Sequence, residues 1–206
     1  MNKFITIEGC EGVGKTMQTK MLKQYCEQNN LNILFTREPG GSRVAEKIRQ
    51  IILDANNAEI CDLCEAFLYA SSRAQHLNEI IVPALNQGKT VICDRFVDSS
   101  YAYQGIARGL GLEKVRLLNS IAIGEYMPQY TIFLDLAPEL AFARKGGVDK
   151  RDRIEVQNAE FHKKVYSAYH ELIRQEPSRF IVINASGTRE ETQEKIKYAL
   201  KVRGIL

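Results

Sequence analysis

The stretch Gly9-Cys10-Glu11-Gly12-Val13-Gly14-Lys15-Thr16 constrains this chain more than any other. It fits G-x-x-x-x-G-K-[ST], the phosphate-binding P-loop. Its glycines let the backbone curl with N–H groups pointing inward, and the helix that follows turns its positive N-terminus to the same anion. Lys15 is placed to reach the β/γ-phosphates of a nucleotide, and Thr16 to offer a hydroxyl to Mg²⁺. The context agrees. Phe4-Ile5-Thr6-Ile7 reads as a short buried strand before the glycines, and Met17 to Gln28 as a helix after them.

The rest of the chain repeats that alternation. Leu31–Thr36 reads as a second strand, and Arg37-Glu38-Pro39-Gly40-Gly41 then breaks regular structure, since proline restricts the residue before it and glycines tolerate unusual backbone. Ser42 is placed to cap a helix running to Leu53, with Val44, Ile48, Ile51 and Ile52 on its buried side. A longer helix is expected from Leu63 to Asn86, kinked at Pro83. Thr90–Cys93 is a strand finishing on Asp94-Arg95. Helices follow at Asp98–Ala107 and Glu113–Ile123, then a strand at Tyr130–Leu134 that ends on Asp135, and Pro138 opens another helix. Ile154–Arg174 is predicted to be helix, Phe180–Ile183 the last strand, and Thr188-x-x-Glu191 a capping box for a C-terminal helix that buries Ile196 and Leu200. Strands alternating with helices imply a parallel sheet covered on both faces. The polar, glycine-containing run from Ala143 to Arg153 is the one stretch expected to be mobile.

With 206 residues the chain suffices for a single α/β domain over 1–206. Its 28 Lys and Arg against 25 Asp and Glu are too balanced to demand nucleic acid or an acidic membrane as partner. No charged-then-apolar leader precedes Phe4 and no apolar run approaches a membrane span, so a cytoplasmic protein is expected. The five cysteines argue against structural disulfides in that setting. Cys61-x-x-Cys64 lacks a second ligand pair, and reads better as two apolar residues near a helix start than as half a zinc site.

A P-loop leaves motors, GTPase switches and small-molecule kinases open. There is no guanine-reading Asn-Lys-x-Asp and no strand ending in Asp-Glu, which favours a kinase. Arg37 and Arg95, each just after a strand, are placed either to fork onto a phosphate or to form surface salt bridges. Asp94 suits a carboxylate acting on Mg²⁺ directly or through water, while Asp135 reads as structural. Tyr69 and Arg73 share a helix face, and on its residue type alone Tyr69 belongs to the core.

Phe35-Thr36-Arg37-Glu38-Pro39-Gly40-Gly41, Asp94-Arg95-Phe96 and Ser99-Ser100-Tyr101-Ala102-Tyr103-Gln104-Gly105, together with the P-loop, resemble the bacterial thymidylate kinase family over essentially the whole chain. The resemblance implies a three-layer P-loop kinase fold with a five-stranded parallel sheet flanked by helices, and a short mobile lid at about 143–154. It implies transfer of the γ-phosphoryl group of Mg²⁺-ATP to dTMP, giving dTDP for dTTP biosynthesis, in a homodimer. It assigns Arg95 to the dTMP phosphate, with Arg37 and Pro39 in the same neighbourhood. Tyr69 stacks on thymine, Arg73 bonds a base carbonyl, and Ser99, Ser100, Tyr103 and Gln104 line the base and deoxyribose, Tyr103 crowding a 2′-hydroxyl. Glu11 matches an acidic position near the sugar or the metal. Where some relatives carry a P-loop arginine this chain has Gly12, so the lid is expected to supply the catalytic cation. Arg153 of Asp152-Arg153-Ile154-Glu155 matches best, with Arg144 and Arg151 in reserve, although Gly146-Gly147-Val148 stands where some relatives have further arginines. The rival readings are a kinase for another nucleotide or nucleoside, a nucleotide-driven switch, and a simple polyphosphate-binding protein.

Overall fold

The computed structural model describes residues 3–145 and 149–206. Its centre is β1 (Phe4–Glu8), a strand buried along its whole length. Such a strand needs neighbours on both edges and layers on both faces. The chain supplies them in sequence order: α1 (Lys15–Gln28), β2 (Ile33–Arg37), α2 (Arg43–Leu53), α3 (Asp62–His76), α4 (Val82–Asn86), β3 (Thr90–Asp94), α5 (Val97–Ser100), α6 (Leu112–Ile123), β4 (Tyr130–Asp135), α7 (Pro138–Lys145), α8 (Ala159–Gln175), β5 (Phe180–Asn184) and α9 (Arg189–Val202). The strands pair in parallel in the order β2-β3-β1-β4-β5. From β1 the chain winds first toward β3 and β2, then crosses to β4 and β5, so the loops after β1, β3 and β4 diverge around a crevice at the carboxyl ends of the strands. Ligands bind at such switch points.

Two apolar layers cover the sheet. On one face Phe4, Val91, Cys93, Phe96, Phe133 and Tyr169 pack with α6 and α8. On the other Ile5, Ile7, Ile92, Ile132, Ile181 and Ile183 pack against Leu22, Ile196 and Leu200 of α1 and α9. The expected buried stripes of α8 and α9 are present: Phe161, Val165, Ala168 and Leu172, then Ile196 and Leu200, are all buried. The capping box of Thr188 and Glu191 is present too, with its reciprocal hydrogen bonds.

The structure differs from the sequence expectations in several places. Each of β1, β3, β4 and β5 runs one residue further than expected, and β2 covers Ile33–Arg37. The expected 63–86 helix is interrupted by a wide turn at Leu77–Ile81, where the Val82 N–H donates to the Leu77 carbonyl. Pro83 has no N–H to give the Glu79 carbonyl, and the helix loosens ahead of it rather than at it. A second wide turn, Tyr101–Ala107, completes the helix that starts at α5. Ser42 precedes α2 but its side chain makes no cap bond, and Ile51 is exposed where burial was expected. The largest departure is at 154–158. These residues are not helical; α8 starts only at Ala159, capped by the Asn158 side chain, which accepts from the Phe161 N–H. Cys61 and Cys64 are free and exposed, so neither serves the core. Of the expected lid, Gly146, Gly147 and Val148 lie outside the described residues.

Candidate active site

The P-loop leaves β1 at Gly9, whose φ of +151° and tight surroundings suit only glycine: a Cβ there would stand 2.9 Å from Val13 Cγ1 and 3.0 Å from the Leu134 carbonyl oxygen. The loop closes on Lys15, whose Nζ donates to the carbonyls of Gly9 and Cys10 at 3.0 and 2.9 Å. Burial, with the Arg95 cation nearby, pushes the Lys15 ammonium below its usual value. An incoming polyanion therefore finds a desolvated cation held on replaceable neutral partners. Burial likewise pushes the Cys10 thiol up to about 12, which makes it inert packing within the loop. Thr16 is exposed at the start of α1.

Register sets the acceptor side. Ile7 pairs with Asp94 and Asp94 with Arg37, so the ends of β1, β3 and β2 lie in a row. Arg95 follows with φ +67°, a left-handed conformation that a non-glycine residue holds only when its surroundings insist. Its surroundings do. Nη2 donates to Glu11 Oε1 at 2.6 Å and to the Tyr103 hydroxyl at 3.2 Å, and Nη1 donates to Ser99 Oγ at 3.1 Å. Burial pushes the Glu11 carboxyl upward, but Arg95 and Lys15 overcome it and hold it down at about 2.

Behind Arg95 stands Glu8, fully buried at the end of β1. It accepts from the Phe96 N–H at 2.8 Å, from Ser99 Oγ at 2.7 Å and from the Tyr169 hydroxyl at 2.7 Å, with Arg95 Nη1 at 3.8 Å. Burial raises its carboxyl above the usual range, against the pull of Arg95. Neither Glu8 nor Tyr169 was singled out by sequence reasoning. Glu8 reads locally as the end of a strand, and its partners come from as far away as residue 169.

The Arg37–Gly41 loop is clamped from two sides. Arg37 Nη2 meets both oxygens of Glu46 at 2.9 and 3.0 Å, and its Nη1 donates to the Pro39 carbonyl. Glu38 is buried, joined to Arg73 Nε at 2.8 Å and to His76 Nδ1 at 3.1 Å. A Cβ at Gly41, φ +86°, would strike His76, so the clamp also dictates that glycine.

A cleft of about 600 Å³ joins these parts. Its walls include Glu11–Thr16, Arg37, Pro39, Tyr69, Asp94, Arg95, Ser99, Tyr103 and Gln104, with Arg144, Asp152, Ile154, Glu155 and the turn at Gly187–Arg189 completing the rim. Most of the expected site residues are thus gathered in one place. Gly9 and Cys10 form the floor of the loop without lining the cleft.

Five expected site residues need separate description. Arg153, the expected lid cation, is 5% exposed and not on the cleft wall: Nη2 lies 2.7 Å from Glu65 Oε2, a charge contact without hydrogen-bond alignment, and Nε donates to the Ile52 carbonyl. The segment turns there, Asp152 bridging Asp54, and Asp152, Ile154 and Glu155 line the cleft while Arg153 does not. Arg151 is exposed and paired with Asp149, and Arg144, which does reach the cleft, donates to the carbonyls of Ala185 and Ser186. Finally, Arg73 and Ser100 are buried behind the wall. Arg73 donates to Glu38, Ser100, Asn119 and the Phe96 carbonyl, which engages four of its five N–H bonds.

A P-loop at the switch point of a parallel sheet, facing an arginine-lined acceptor pocket across one cleft, defines a P-loop phosphotransferase. The thymidylate kinase family model matches residues 7–196. Similar relatives are the thymidylate kinases of Clostridium novyi, 45% identical over 98% of this chain and 100% of that one, and of Symbiobacterium thermophilum, 47% identical over 96% and 92%. A crystal structure of thymidylate kinase from Ehrlichia chaffeensis matches at a TM-score of 0.80 and 29% identity, covering 97% of this chain and 98% of that one. The chain belongs to the thymidylate kinase family.

Proposed function

We propose that the P-loop end of the cleft holds ATP and the Arg37–Arg95–Tyr103 end holds dTMP, head to head. The chain is a dTMP kinase, an enzyme that transfers the γ-phosphoryl group of ATP to dTMP to give dTDP and ADP in dTTP biosynthesis. The observation that carries the residue roles is the placement of Lys15, buried, and Arg95, half-buried, on one cleft wall, both held by groups that an anion can replace.

The acceptor phosphate, with a second pKa near ~6, is already anionic at neutral pH, so no strong general base is needed. The difficulty is repulsion between two polyanions. Lys15 leaves the Gly9 and Cys10 carbonyls for the β/γ-phosphates, while Arg95 offers its fork to the acceptor phosphate, displacing Glu11. Glu8 and Tyr169 keep Ser99 and the chain after Arg95 in place. Tyr69 on the wall stacks on the base, and Tyr103 and Gln104 flank the sugar. Arg73, with one N–H to spare, and Ser100 act from behind the wall. Of the described lid arginines Arg144 lines the cleft, Arg151 is exposed and must leave Asp149 to follow the nucleotide, and Arg153 anchors the segment.

The oxygen donors of Thr16 and Asp94 on the cleft wall fit Mg²⁺, which takes one or two protein oxygens and completes its shell with phosphate and water. Bound there, the ion neutralises charge on the β- and γ-phosphates. No helix among the described residues is long and apolar enough to cross a membrane, and we assign the enzyme to the cytoplasm. Leu63 and Phe67 of α3 and Leu117 and Ile121 of α6 are exposed on helices that pack together, which supports a homodimer through this face. Sedimentation of Phe67→Asp as a monomer, with wild type as a dimer, is expected; a monomeric wild type refutes it.

The test of function offers dTMP, dUMP, UMP, CMP, GMP and AMP separately to the purified protein with Mg²⁺-ATP. ADP formation is expected with dTMP, more weakly with dUMP, and not with the others. Preference for another monophosphate would discard the roles of Tyr69 and Arg73.

A further inference from the structure

The carboxylate of Glu65 stands one helical turn before Tyr69 on α3 and is 1% exposed. Its oxygens divide between two parts of the site. Oε1 accepts from Gln104 Nε2 at 2.8 Å and from Arg108 Nε at 3.3 Å. Oε2 accepts from Arg108 Nη2 at 3.2 Å and lies 2.7 Å from Arg153 Nη2. Gln104 belongs to the acceptor side of the cleft. Arg153 belongs to the segment whose neighbours Asp152, Ile154 and Glu155 wall the cleft.

That segment is also held by Arg108 Nη1, which donates to Gln157 Oε1 at 3.0 Å, by Ile154 in the core, and by the end of α2. The Arg153 N–H donates to the Leu53 carbonyl, the Ala55 N–H to the Arg151 carbonyl, and Arg153 Nε to the Ile52 carbonyl, all at the end of α2. Among the described residues, the Arg153 guanidinium meets the helix that carries Tyr69 at Glu65.

A buried carboxylate between two guanidinium groups is costly to desolvate, and apolar packing of equal volume serves stability as well. What such a network adds is a fixed geometry among the elements it joins. We propose that Glu65 is a positioning residue for phosphoryl transfer, coupling Gln104 on the acceptor side to the Arg153-anchored wall, so that the wall excludes water in register with the bound acceptor. The proposal rests on the reading of this cleft as the dTMP kinase site. Glu65 touches no reacting atom; it acts through Gln104 and Arg153.

The test compares two rates of the full-length enzyme with Mg²⁺-ATP: transfer to dTMP, and ATP hydrolysis with dTMP omitted. In Glu65→Gln, which keeps the side-chain shape, the turnover for transfer is expected to fall about tenfold or more and KM for dTMP to rise, while hydrolysis does not fall with it. The hydrolysis-to-transfer ratio then rises about tenfold. A purely structural role lowers both rates together. Arg153→Met, which cuts only the wall side, is expected to raise the same ratio, and carries the test should Glu65→Gln fail to fold. A ratio unchanged from wild type in the folded variant overturns the coupling. Failure of the wild type to phosphorylate dTMP would instead overturn the acceptor assignment.

Discussion

Replacing Arg95 by methionine should expose how the acceptor arginine is held. In the folded protein Glu11 sits at about 2, against 4.5 for an ordinary glutamate, although burial works the other way; Arg95 at 2.6 Å and Lys15 account for the depression. A carboxyl depressed on folding contributes stability that is complete above pH 4.5 and is lost as pH falls toward 2. At about 1.4 kcal/mol per unit, that span is worth about 3 kcal/mol. Lys15 stays in the variant and is relieved of a like-charged neighbour, so about 2 kcal/mol should disappear at pH 7. Urea midpoints of wild type and Arg95→Met should therefore differ at pH 7 and converge as pH falls from 4.5 toward 2. In the same variant kcat/KM for dTMP should fall by about three decades through loss of a charge-assisted fork. A stability difference that stays constant from pH 7 to pH 3 would refute the claim that Arg95 holds Glu11 ionised.

Three further substitutions separate site from scaffold. Lys15→Met should abolish turnover by about three decades or more while leaving urea stability within about 0.5 kcal/mol, because the desolvation of the buried ammonium offsets its two carbonyl hydrogen bonds and its pull on Glu11; a large loss of stability would contradict this. Tyr103→Phe removes the hydroxyl that touches Arg95 and Glu11, so kcat should fall about tenfold with the preference for dTMP over its ribo counterpart retained; a lost preference would show that the hydroxyl, not the ring, discriminates. Arg179→Met strips the fully buried Asp98 of a two-pronged partner at 2.7 Å, neither residue lining the cleft. Calorimetry should show about 3–5 kcal/mol of lost stability, with KM for both substrates unchanged.

What could be read from the sequence follows the range of the forces involved. The P-loop was legible because its chemistry lies within eight consecutive residues and its glycines answer local backbone demands. The strands were legible as short apolar runs, and the α9 cap as a four-residue pattern. The contacts of Arg153 were not legible because they are decided by α2 and α3, about a hundred residues earlier. Glu8 and Glu65 were passed over for a related reason: a buried carboxylate is stable only with its partners, and theirs are scattered through the chain. The wide turn at Leu77–Ile81 leaves little local signal beyond Pro83. Residues 154–158 look helical by composition, but the contacts of Arg153 and the cap at Asn158 override that preference.

The central claim is that one cleft brings ATP and dTMP together so that Lys15 and Arg95 serve the same phosphoryl transfer. The most direct measurement follows the nucleotide products by phosphorus NMR when purified protein, Mg²⁺-ATP and dTMP are mixed. The account predicts dTDP and ADP appearing in equal amounts with little inorganic phosphate. ADP formed with free phosphate and no dTDP would contradict it.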